Sequence, residues 1–131
     1  MPEKAIDRWS PARSGEPSNE KLFDAAVALD RLDDDNELFS ALIDIFQEDS
    51  VVLYTALRAS LAGGELAEVE RAAHSLKGLA ANFEARGTTA VALRVEELAR
   101  AGEVAGLEEL VAELGVKLHE LRGALADWKP A

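Results

Sequence analysis

His74 and His119 are the two histidines of the chain, and cysteine is absent. An imidazole nitrogen is a good nucleophile at neutral pH, because an unperturbed histidine titrates near pH ~6.5. His74 is followed by Lys77 at i+3, Gly78 at i+4 and Ala81 at i+7. On a helix these positions share one face, one and two turns along. A nucleophile is thus joined to a cation that can offset the charge of an incoming phosphoryl group. Small residues leave the approach open. Glycine inside a helix costs about 0.5–1 kcal/mol relative to alanine, so Gly78 asks for a reason beyond helix formation.

The other reactive side chains give weaker patterns. His119 has Arg122 at i+3 and Gly123 at i+4, a loose echo of the His74 set near the end of the last helix, and reads as a solvated residue. Glu70 lies at i−4 from His74 and within reach of the imidazole, but it reads first as one half of a surface helix pair. A carboxylate-bridged metal bundle needs Glu-x-x-His on inward faces. Arg71 and Val116 stand three residues before the two histidines, so that motif is missing. Without cysteine, disulfides, thiolate metal sites and a Cys nucleophile are excluded, and no constellation supports a Ser nucleophile.

Composition narrows the class further. The chain of 131 residues has the length of one ordinary domain. Hydrophobic residues make up 48% and aromatics only 5%, with alanine and leucine plentiful, so the balance favours helix over strand. The net charge of −11 opposes binding to nucleic acid and to anionic membrane surfaces. No apolar run approaches the ~20 residues of a membrane span, and the first residues lack the apolar stretch of a signal peptide. A cytoplasmic location is expected.

The elements that must position His74 follow from apolar spacing. Residues 1–17 carry Pro2, Pro11, Gly15 and Pro17 among mixed charges and are expected to form a flexible arm, with Trp9 its one anchor. Residues 18–131 are expected to fold as one domain. Ser18 is placed to cap a short helix over roughly 19–31, with Leu22, Phe23, Ala26 and Leu29 as its apolar side. Asp34 followed by Glu37 reads as the start of a long helix over roughly 36–62, which Gly63-Gly64 ends. A third helix over roughly 65–85 repeats Leu66, Val69, Ala73, Leu76, Ala80 and Phe83 in steps of three and four, with Gly87 as its cap. His74 lies about 130° from the centre of that seam, facing solvent. Thr88 or Thr89 caps a fourth helix over roughly 89–101, closed by Gly102, and a fifth runs over roughly 104–126. Short connections make neighbours antiparallel. The expected fold is all-α: an up-down-up-down four-helix bundle with a short extra N-terminal helix. Trp9 and Trp128 flank it and are expected to cover its ends.

The run Ala73-His74-Ser75-Leu76-Lys77-Gly78 resembles the signature of histidine-containing phosphotransfer (HPt) domains, in which Ala or Thr precedes His-x-Leu-Lys-Gly. The resemblance continues through Ala80, Ala81, Asn82 and Phe83, through Val95-Glu96, and upstream through Phe46-Gln47-Glu48-Asp49 and the turn after Leu57. It covers about residues 22–125. It implies that His74 is the phosphorylated residue, that Lys77 stabilises the phosphoryl group and that Gly78 admits the partner. Glu96 falls where some members carry a glutamine bonded to the imidazole; by its residue type alone it reads as a solvated helix carboxylate. Two positions depart from the pattern. Glu84 stands where the family usually has glycine, and Leu79 where it often has serine.

The resemblance further implies a phosphorelay intermediate of a two-component pathway, without autokinase activity. It would exchange the group with response-regulator receiver domains downstream of a sensor (hybrid) histidine kinase. No cofactor of its own is expected, since the receiver brings Mg2+. A docking face around His74 must stay open, which favours a monomer. The competing expectation is a non-catalytic helical interaction module that binds a receiver or kinase domain without being phosphorylated.

Overall fold

In the computed structural model, which describes residues 22–130, five helices follow one another: α1 (Ala25–Asp30), α2 (Asn36–Ala62), α3 (Leu66–Ala81), α4 (Arg86–Ala101) and α5 (Leu107–Ala126). Helices α2 to α5 form the four-helix bundle. Each packs on its neighbour in the chain, and α5 returns to α2 to close the ring, while α1 lies against α2. The arm expected over residues 1–17, with Trp9, and the cap expected at Ser18 lie outside the described residues.

Several helix ends differ from those expected from spacing. α1 begins at Ala25, because the Asp24 side chain accepts from the Val27 N–H at 3.1 Å. That start turns Ala28 rather than Ala26 into the core. The cap of α2 is Asp35, accepting from Leu38 N–H at 3.0 Å. Asp34 is instead left-handed (φ 59°), as is Asp33 (φ 56°), a conformation that a short polar side chain tolerates better than most. α5 starts at Leu107, behind Gly106 at φ 79°.

The turn after α3 differs most. α3 ends at Ala81, not near 85, and Gly87 and both threonines lie inside α4, which begins at Arg86. The chain reverses over residues 82–85. Phe83 is fully buried and meets Phe39 and Phe46 edge-on at centroid distances of 5.6 and 5.5 Å. Burial of such a ring is worth about 1.5–3 kcal/mol, and a helix continued past Ala81 would place the ring elsewhere. Glu84 then takes the left-handed conformation (φ 54°), and the Ala85 N–H returns to the Ala80 carbonyl. The glycine that the resemblance leads one to expect here has its reason in that φ. Arg31 Nη2 reaches the Glu84 carboxylate at 2.9 Å and the Ala81 carbonyl at 3.3 Å, so the glutamate ties α1 to the turn.

This gives an expected order of stabilities. Left-handed backbone costs a non-glycine residue about 1 kcal/mol, whereas the partly exposed pair with Arg31 contributes at most about that. Glu84→Ala keeps the strain and loses the pair. Glu84→Gly should therefore sit about 1 kcal/mol above Glu84→Ala in urea unfolding, with the wild type between them.

Trp128 covers one end of the core, edge-on to Phe39 at 4.7 Å. The α2–α5 seam is held by few polar contacts. Tyr54 O–H donates to the Val111 carbonyl at 2.8 Å, and Gln47 Nε2 to the Arg122 carbonyl at 2.9 Å. The Tyr54 ring lies where a side chain on Gly115 would be.

Candidate functional site

α3 and α4 pack through small residues: Ala72, Ala73 and Ala80 on one, Ala92 and Ala99 on the other, all buried. Small side chains let the two axes approach, and polar side chains on the outer edges of the seam then meet. His74 stands on the outer side of α3, its side chain 67% exposed. The carboxylate of Glu96 reaches it from α4, its own side chain only 5% exposed. Glu96 is thus buried at the seam, not a solvated helix carboxylate. It shares a face with Ala92 at i−4 and Ala99 at i+3, both core residues.

Three donors share this carboxylate. His74 Nδ1 lies 2.9 Å from Oε2, Lys77 Nζ donates to Oε1 at 2.7 Å, and Arg100 Nη2 donates to Oε2 at 2.8 Å. Arg100 Nε also donates to Glu70 Oε2 at 2.8 Å. The hydrogen bond from Lys77, with that from His74, holds the Glu96 carboxyl below its ordinary range against the opposing effect of burial. An ionised carboxylate can only accept. A neutral His74 must therefore carry its proton on Nδ1, which leaves the Nε2 lone pair free and directed towards solvent. The tautomer is assigned from this acceptor-only partner.

The remaining candidates are placed as follows. Lys77 spends its ammonium on Glu96 and is 25% exposed, so it starts beside the imidazole rather than out in solvent. Gly78 is exposed, and among the described residues nothing beyond its own stretch of helix lies within 4 Å of a Cβ added there. Ala81 is exposed one turn further along. Glu70 does not touch His74; it pairs with Arg100 across the helices. Arg100 is the site residue that reading the sequence missed. Its one signal was its i+4 spacing from Glu96, which is shared by many surface pairs. His119 is exposed on the α2–α5 side, away from this seam, and has no hydrogen-bond or ion-pair partner among the described residues.

Among the described residues no group of three or more His, Cys, Asp or Glu side chains is gathered to hold a metal ion. No described helix is long and apolar enough to cross a membrane.

Comparison with known proteins addresses the family and the fold. A solved structure similar to this chain is the histidine-containing phosphotransfer protein B (HptB) from Pseudomonas aeruginosa PAO1. It is 25% identical, and the likeness spans 80% of this chain and 91% of that one with a TM-score of 0.74. No curated protein matches the sequence. The family model described as the Hpt domain matches residues 41–128, a span that contains His74, Lys77, Glu96 and Arg100, and so the chain belongs to the Hpt domain family.

Proposed function

We propose that the protein is a phosphorelay intermediate that takes a phosphoryl group from a receiver-domain aspartate onto His74 Nε2 and passes it to another receiver. The observation that carries this reading is the bond from Nδ1 to Glu96, which fixes the ring and leaves Nε2 as an exposed nucleophile. In the forward step the Nε2 lone pair forms the N–P bond. The bond from phosphorus to the aspartyl oxygen breaks, and its electron pair leaves with the aspartate carboxylate. The imidazole becomes cationic in this step, and the Glu96 carboxylate stabilises that charge through Nδ1–H, without a proton changing hands. Lys77 supplies positive charge to the phosphoryl oxygens. Return transfer reverses the same steps, so one arrangement serves both donor and acceptor.

No nucleotide is needed in this scheme, so the chain acts as a carrier without autokinase activity. The Mg2+ that such a transfer uses belongs to the receiver. The protein works as a monomer in the cytoplasm, supplied ultimately by a sensor or hybrid histidine kinase.

The test is phosphoryl transfer from a labelled receiver domain. Label that reaches the protein, survives alkali and is lost in acid supports the reading. A folded protein that binds the receiver and never takes label overturns it. Gly78 provides a second check. Gly78→Leu should not destabilise the helix and adds up to about 1 kcal/mol through propensity. It should nevertheless slow transfer from a receiver at least about tenfold by blocking approach, and leave acceptance from a small phosphoryl donor such as phosphoramidate unchanged.

A further inference from the structure

The two cations on Glu96 are not equivalent. Lys77 makes a single bond, to Oε1. Arg100 bridges two carboxylates: Nη2 to Glu96 Oε2 and Nε to Glu70 Oε2. The planar guanidinium is thereby fixed in direction by two separate anchors, whereas the ammonium swings on a flexible stem. Arg100 also shares Oε2 with His74 Nδ1, while Lys77 holds the other oxygen. Removal of Lys77 from Oε1 would leave the histidine–carboxylate bond and its Arg100 brace intact.

Before transfer, the carboxylates Glu70 and Glu96 balance the charges of Lys77 and Arg100. An arriving phosphoryl group adds negative charge on the His74 side of this cluster. Lys77, at i+3 from His74, is the cation on that face with only one bond to give up.

We propose that Arg100, anchored by Glu70, is the positioning residue that keeps Glu96 under His74, and that this frees Lys77 to move from Glu96 to the phosphoryl group during transfer. The inference deepens the phosphorelay reading and rests on it. In this division of labour Arg100 never touches the phosphoryl group. Glu70, which by spacing reads first as one half of a surface helix pair, acts at one remove through Arg100.

The test uses two measurements. The first is the ring tautomer of His74 in the unphosphorylated protein, read from imidazole 15N shifts. The wild type should be Nδ1–H. Arg100→Gln should give a mixed tautomer population, Glu70→Gln a smaller shift in the same direction, and Arg100→Lys, which reaches one carboxylate at a time, an intermediate one. The second is the rate of acceptance from phosphoramidate in a double-mutant cycle. Lys77→Gln should slow acceptance about tenfold in the wild type but less than threefold with Arg100→Gln, because Lys77 is then committed to Glu96. An unchanged tautomer in Arg100→Gln, or an equal effect of Lys77→Gln in both backgrounds, overturns the proposal. Failure of the phosphorelay reading itself looks different: wild-type protein takes no label at all from receiver or phosphoramidate.

Discussion

His74→Gln should abolish phosphoryl acceptance while leaving the bundle intact. The side chain is two-thirds exposed, so little packing is lost, and glutamine forms helix well. Glu96 keeps its bonds from Lys77 and Arg100, so stability should fall by no more than about 0.5–1.5 kcal/mol, the worth of one hydrogen bond. Activity should not fall by a factor but vanish, because the amide has no nucleophilic lone pair to replace Nε2 and no other exposed histidine lies on this face. The measurement is transfer from a labelled receiver at equal protein concentration, with circular dichroism to confirm the fold. His119→Gln is the matched control and should transfer at the wild-type rate. Label retained by His74→Gln would move the acceptor elsewhere on the chain.

Glu96→Gln should have the next largest effect, slowing acceptance on the order of 10- to 100-fold, the range seen when a group that orients a histidine is lost. The amide oxygen can still accept from Nδ1–H, but it brings no charge to stabilise the cationic ring. Its NH2 group also faces Lys77 and Arg100, which are themselves donors. Glu96→Leu should be slower still, because neither tautomer is then favoured. The pH dependence has a definite sign. Bonds from Lys77 and His74 lower the Glu96 pKa in the folded state. Its contribution to stability is therefore present above the ordinary carboxylate pKa near ~4.5 and is lost only as pH falls through the lower folded value. In thermal melts the wild-type advantage over Glu96→Leu should not shrink from pH 7 to 5, and should fall only below that range. Loss of the difference already at pH 6 would contradict the assigned charge.

The pattern of apolar residues was sufficient to read five helices, their order and the outward face of His74, because each helix repeats its core positions with a helical period. The helix ends were less legible. At residues 82–85, burial of Phe83 decides where α3 stops, and that is a tertiary effect no local propensity contains. The acidic run 33–35 offered three possible caps, and only the left-handed φ values of Asp33 and Asp34 leave Asp35 as the one used. In the site, His74, Lys77 and Gly78 were marked by spacing within a single helix. Glu96 and Arg100 come from the next helix, so their bonds to His74, Lys77 and Glu70 depend on how two helices register against each other. The position of Glu96 between Ala92 and Ala99 was visible on the wheel, but a carboxylate there reads as solvent-facing until its three donors are known.

The ring of four helices has three seams between chain neighbours and one, α2–α5, between distant segments. Closing that seam costs more loop entropy than closing the others, and it is secured by the Tyr54–Val111 and Gln47–Arg122 bonds and the Tyr54–Gly115 contact. With the longest loop to close, it is the joint expected to open first, and native-state hydrogen exchange should find α2 and α5 less protected than α3 and α4. The groups that meet at His74 all fall within residues 70–100, in one helical hairpin of low contact order. The site is therefore housed in the most locally connected part of the chain, and opening of the opposite seam should leave its bonds in place.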